Sequence, residues 1–320
     1  MSRLTEMPTS LPNETLDRDE TETERPAAGS QKAVRSRPGP PLRPKSVLVV
    51  LSLSWIVLCV FVAIFADVLA PYELTAMDLR NRLQPPVLFG GSWAHPLGTD
   101  ELGRDIFSRF LVSVRVSIFV ALVGTLIGAV LGTAIGFLAA HFRGWVDDLV
   151  MMLIDSQAAL PFMIVALMVI AFFGSSLTLF IVIVGIYGWE RYARLARGMA
   201  LSALERGYVS AVRSFGSGPV WLYWRHILPN VASALIVNAT LNFPQTILLE
   251  SSLSFLGLGI QPPMTSLGNM LGYGREYLLT AWWMAVIPGV AISLTALAVS
   301  ILGDDLRDRI DPMLTDKRAA

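Results

Sequence analysis

Apolar residues run along this chain in long blocks separated by polar segments, and block length is the first signal. Residues 47–66 are twenty consecutive positions without a charge. As an α-helix they reach about 30 Å, the hydrocarbon thickness of a bilayer. Residues 116–140 form a second uncharged run, and 149–173 a third, interrupted by Asp155 and Pro161. Residues 177–189 are shorter and must borrow flanking positions to span. A fifth run covers 231–249 and a sixth 281–302. The pattern predicts an all-α integral membrane protein with six transmembrane helices, because lipid leaves backbone polar groups no partner except those within the helix itself.

Composition agrees with this. Of 320 residues, 53% are hydrophobic and 16% charged, against about 25% charged in ordinary soluble domains. Lys plus Arg equals Asp plus Glu at 25 each, so no global charge draws the chain to nucleic acid. The one cysteine, Cys59, lies in an apolar run and reads as a small core residue. His95, His141 and His226 are far apart in sequence and lack metal-hydrolase spacing.

Residues 1–45 are rich in Pro, Thr, Glu and Arg, acidic first and basic after, with no apolar period. They predict a disordered cytoplasmic tail, followed by a membrane domain over 46–303 and a C-terminal cytoplasmic tail over 304–320. Orientation follows from the basic residues. Residues 190–230 hold Arg191, Arg194, Arg197, Arg206, Arg213 and Arg225, whereas 250–280 hold Arg275 alone. Both termini and the 190–230 loop are therefore placed in the cytoplasm, although Arg80, Arg82, Arg104 and Arg109 in the first external segment count the other way.

Within the runs, several residues stand out. Gly124, Gly128, Gly132 and Gly136 recur every four positions on one helix face, a stripe that lets helix backbones approach closely, within this chain or against a second membrane subunit. Asp155 lies near the cytoplasmic end of its run, where pairing with a loop arginine competes with a substrate or proton role. Pro161 predicts a kink. Asn238, Asn242, Gln245 and Glu250 interrupt the fifth run, either bonding neighbouring helices or lining a water-filled path.

The segment "ERGYVSAVRSFGSGPVWLYWRHILPN" (residues 205–230) sets Tyr208, Val209, Val212 and Phe215 at helical spacing, then Gly216 to Pro219 as a break, then a second short helix up to Pro229. Two short helices joined by a glycine turn predict a cytoplasmic knob that fits a partner's groove. A helix pair lying in the membrane interface, with Trp221, Tyr223 and Trp224 at headgroup depth, is the alternative.

This segment resembles the E-A-A loop of binding-protein-dependent ABC importer permeases. Ser210, Ala211 and Val212 take the E-A-A place, Gly216 the glycine, and Leu228 and Pro229 the closing pair at the family's spacing, with Ser210 replacing the usual glutamate. "HPLGTDELGRDIFSR" (95–109), "SSLSFLGLGIQPP" (251–263) and "GDDLRDRIDP" (303–312) are similar to stretches of the dipeptide, oligopeptide and nickel branch. The resemblance implies the type I importer architecture, a second homologous permease, two ABC ATPase subunits and an extracytoplasmic binding protein, in a bacterial inner membrane. It also implies an ATPase-coupling role for Tyr208, Ser210, Ala211, Arg213, Gly216, His226, Leu228 and Pro229. No cofactor is implied on this chain. It has no phosphate-binding G-x-x-x-x-G-K-[ST] motif, and ATP and Mg belong to the partners. Peptides are the expected cargo, with nickel complexes, opines or oligosaccharides as alternatives. A stand-alone secondary transporter would need internal repeats and paired intramembrane charges, and an intramembrane enzyme a buried nucleophile and base; neither pattern is evident.

Overall fold

The computed structural model describes residues 44–207, 209, 212, 216 and 218–310. Among these the regular structure is helical, with one isolated bridge between Thr99 and Asp105. The helices are α1 (Pro44–Leu69), α2 (Ile106–Phe142), α3 (Gly144–Ala159), α4 (Phe162–Phe173), α5 (Leu177–Ile186), α6 (Trp189–Leu204), α7 (Pro219–Phe255), α8 (Leu267–Gly274) and α9 (Trp283–Ile310).

Four of them, α1, α2, α7 and α9, are long and apolar enough to cross a membrane, and the bent pair α3 and α4 makes a fifth candidate span. These candidates coincide with the first, second, third, fifth and sixth expected runs. The predicted kink at Pro161 is a full break, with α3 and α4 meeting at 92°. Proline removes a backbone donor and disfavours helical geometry in the residue before it, and Leu160 is accordingly extended at φ −94° and ψ 134°. The expected fourth span ends early: α5 has ten residues, about 15 Å, before the Tyr187–Gly188 turn redirects the chain into α6.

Helix α2 starts ten residues before its apolar run because of a cap. The Asp105 carboxylate accepts from the Ser108 amide and hydroxyl, both at 2.7 Å, satisfying helix-end donors. Its 37 residues reach about 55 Å, well beyond a hydrocarbon core of about 30 Å. Helix α2 is the central element, touched by α1, α5, α6 and α7. Helix α1 is peripheral: it exposes Val50, Leu51, Val57 and Ile64, the outward apolar face expected of a lipid-facing helix. The Arg115 guanidinium of α2 pairs with Asp67 at 2.8 Å, and the Trp55 indole donates to Thr295 of α9 at 3.1 Å.

The segments between α1 and α2 form a compact cap. Asp100 is buried and accepts from Arg104 and Arg109, each at 2.6 Å, while the Trp283 indole donates to the Thr99 carbonyl at 3.4 Å. Two helices run past the predicted domain limits. Helix α1 includes residues 44 and 45, and α9 continues through 304–310, where Arg309 pairs with Asp305 one turn back at 2.7 Å. The remainder of the two expected tails, 1–43 and 311–320, lies outside the described residues.

Candidate functional site

The α3–α4 break, the α5–α6 turn and α7 together border an open cavity of about 1170 Å³. The break contributes residues 157–163 and the turn region 187–195, and the α7 wall runs from Asn238 to Ser252, about 21 Å of helix. Pro161 and Gly188 matter here as chain-reversing positions. Each diverts a helix that would otherwise fill this space.

Arg191 is the central charged group of the cavity. Its Nη1 donates to Asn242 Oδ1 at 2.9 Å and to Gln245 Oε1, both on α7. Its guanidinium lies 5.6 Å from the centre of the Tyr187 ring, within cation–π range, and Nε is 3.5 Å from Glu190 Oε1. Gln157 secures the same corner from α3. It donates to Glu190 at 3.3 Å and to the Ile186 carbonyl at 3.4 Å, and it accepts from the Trp189 indole. Asn242 in turn donates to the Asn238 carbonyl at 2.9 Å.

Of the polar residues singled out on the fifth run, Asn238 and Gln245 line the cavity. Asn242 is buried behind them and holds Arg191. Glu250, expected among the pathway residues, does not line it. Its side chain is fully buried, accepting from Ser254 at 2.9 Å and Ser251 at 3.2 Å. It faces the other side of α7, toward the turn carrying Ser266 and toward Ser117 of α2, whose hydroxyl accepts from the Leu267 amide at 3.1 Å. A helix turns 100° per residue, so five positions from Gln245 to Glu250 carry a side chain about 140° around the helix.

The glycine stripe is occupied within this chain. A Cβ added at Gly132 would lie 2.2 Å from the Trp189 carbonyl oxygen, and one at Gly136 would lie 2.3 Å from that of Ala193. Gly124 and Gly128 face Val184 and Gly185 in the same way. The stripe therefore seats α5 and α6 on α2 and leaves no open face for a second subunit.

Asp155 pairs with Arg194 at 3.1 Å, and both side chains are more than half exposed. Asp147 and Arg197 make a second contact between α3 and α6. An exposed pair such as Asp155–Arg194 contributes about 0–1 kcal/mol, so Asp155 is an external tie between helices.

Tyr208, Ser210, Ala211 and Arg213 of the expected coupling segment lie outside the described residues. Val209 is fully buried and joins Ala140, Ala200, Ala203, Leu222, Ile227 and Val231 in one apolar cluster that anchors the segment to α2, α6 and α7. Gly216 is exposed at φ 80°, a left-handed backbone that disfavours any side chain, and nothing lies within 4 Å of where a Cβ would be. The second short helix is not separate, as expected, but forms the first turns of α7. Residues Tyr223–Ile227 make a wide π turn in which the Leu228 amide donates to the Tyr223 carbonyl. Such a turn accommodates a residue that lacks an amide hydrogen, here Pro229, without ending the helix. Leu228 is half-buried and Pro229 exposed. His226 meets Trp221 edge-to-face with ring centres 4.7 Å apart, while Val220 and Trp224 are largely exposed.

Arg191 and Gln157 went unrecognised at the sequence level. Arg191 sits among loop arginines used only to orient the chain, and Gln157 carries no pattern. The one available signal was their position beside Pro161 and Gly188, the two breaks.

Residues 132–316 match the family described as binding-protein-dependent transport system inner membrane component. Residues 45–86 match the N-terminal TM domain of oligopeptide transport permease C. The chain is 39% identical to the di/tripeptide transport system permease protein DppC of Pseudomonas aeruginosa over 82% of this chain and 87% of that protein. It is 38% identical to the glutathione transport system permease protein GsiD of Pectobacterium atrosepticum, over 81% and 85% respectively. It is 39% identical to the dipeptide transport system permease protein DppC of Escherichia coli K12, over 83% and 89%. Among solved structures, inward-facing MetNI methionine ABC transporter covers 62% of this chain and 96% of its own at a TM-score of 0.50 and 20% identity, which speaks to the fold. The helical membrane architecture and the family matches agree, and the chain belongs to the inner membrane components of binding-protein-dependent transport systems as a membrane-embedded permease subunit of an ABC importer.

Proposed function

We propose that this chain forms half of the translocation pathway for di- or oligopeptides, in a complex with a second homologous permease, two ABC ATPase subunits and an extracytoplasmic binding protein. The observation that carries this reading is the cavity along α7. It is a groove that sets Gln157, Glu190, Arg191, Asn238 and Gln245 among apolar residues at the level of an apolar span, and such groups are costly in a membrane unless water or solute meets them. A second permease laid over the groove closes it into a path. Peptides are favoured because relatives at 38–39% identity carry names that specify di/tripeptide, glutathione and dipeptide transport.

In this reading the segment around Gly216 couples to the ATPases, with Tyr208, Ser210, Ala211, Arg213, His226, Leu228 and Pro229 contributing to the contact. Val220 and Trp224 add exposed apolar surface beside it. The buried Val209 cluster transmits the motion to α7. Both termini lie on the cytoplasmic side, and the chain itself binds neither ATP nor Mg.

The test is affinity purification of the subunit from gently solubilised membranes, with co-purifying chains identified by mass spectrometry. Recovery of a second permease and of ATPases with phosphate-binding loops is expected. A chain that purifies alone and transports in ATP-free vesicles overturns the assembly.

A further inference from the structure

The groove contains one cationic edge that the protein leaves unused. Nη1 of Arg191 is held by two neutral amide oxygens, those of Asn242 and Gln245, so its position is fixed while its charge is not cancelled there. Glu190 approaches only Nε, at 3.5 Å, and shares its carboxylate with Gln157. Nη2 has no hydrogen-bond partner among the described residues, and the side chain is 39% exposed. Arg194, also on the groove, differs because it pairs with Asp155.

The depth of Arg191 matters as much as its open edge. Asn242 lies near the middle of the apolar run 231–249 and Gln245 about one turn further on, so the guanidinium sits within the depth of the span although its Cα belongs to a segment rich in loop-type arginines. A guanidinium at that depth is expensive and is retained where it meets a polar solute or counter-charge. Arginine is also suited to a carboxylate, through charge-assisted hydrogen bonds that strengthen away from bulk water.

Resting on the peptide reading above, we infer that Arg191 is a carboxylate-recognition point inside the pathway. Its free Nη2 edge receives the C-terminal carboxylate of a peptide in transit, with Asn242 and Gln245 as positioning residues. Selectivity for free acids is thereby exercised in the membrane subunit.

The test uses the whole complex in proteoliposomes, with trialanine and its C-terminal amide as probes, each at a concentration that saturates the binding protein. Uptake and binding-protein-stimulated ATP hydrolysis are measured for wild type, Arg191→Gln and Arg191→Lys. The acid-to-amide uptake ratio is expected to fall about ten-fold in Arg191→Gln, the size of one lost charge-assisted hydrogen bond. Arg191→Lys should restore part of it, and stimulated hydrolysis should persist in both. Equal loss of both peptides, or a parallel loss of hydrolysis, would assign Arg191 a structural role and overturn the inference while leaving the peptide reading intact. If the amide is not captured, acid uptake in the two variants at preserved hydrolysis decides: equal loss in Arg191→Lys and Arg191→Gln overturns the inference. Wild type that takes up neither probe removes the peptide reading and the inference with it.

Discussion

Replacing Gly136 by alanine adds one carbon at a tight part of the α2–α6 contact. That carbon would lie 2.3 Å from the Ala193 carbonyl oxygen and 3.0 Å from two further Ala193 backbone atoms. The obstacle is helix backbone, so no rotamer change relieves it, and α6 must retreat by about 1 Å to reach ordinary contact. Overpacking of this kind costs about 1–3 kcal/mol. Against it stands the gain from replacing glycine inside a helix, about 1 kcal/mol. Gly198, on α6, is the matched control, because a Cβ there meets nothing within 4 Å and the substitution collects the helix gain alone. Equilibrium unfolding of the subunit in mixed micelles should therefore rank Gly198→Ala above wild type and place Gly136→Ala about 1–3 kcal/mol below Gly198→Ala. Because α6 carries Arg191, the same retreat should slow uptake by the assembled complex. Equal stability of the two variants would refute the claim that the stripe is filled by α6.

Gly216→Val places a β-branched residue at φ 80°, a strain of about 1–3 kcal/mol. ATP hydrolysis that continues while uptake falls is the expected result in proteoliposomes, with membrane insertion unchanged; normal uptake would count against coupling through this turn. Glu250→Ala removes the acceptor for the Ser251 and Ser254 hydroxyls and should destabilise the subunit by about 1–3 kcal/mol. Glu250→Gln keeps an acceptor oxygen and should retain most of that stability, and thermal unfolding of the two variants side by side checks the ordering.

The apolar runs by themselves determined that the chain is a helical membrane protein and located α1, α2, α7 and α9. Their length is a local property, and lipid allows a spanning backbone almost no alternative to the helix. The family resemblance was likewise written in contiguous residues, and Pro161 marked a bend. The sequence did not determine how far that bend would go, because a proline forbids one geometry without choosing among the others; the 92° belongs to a packed structure in which α3 lies against α2 and α6 and α4 against α5. The early end of α5 and the continuity of α7 through Pro229 were hidden for a related reason: each depends on whether a freed backbone group finds another partner in three dimensions. Glu250 and Arg191 are the clearest cases. Both are ionisable residues in or beside apolar runs, alike in a hydropathy profile. Only the packed structure turned one into a buried acceptor facing serines and the other into a half-exposed cation in a groove, because a side chain's environment is fixed by what lies across from its helix face, and that comes from residues distant in the chain.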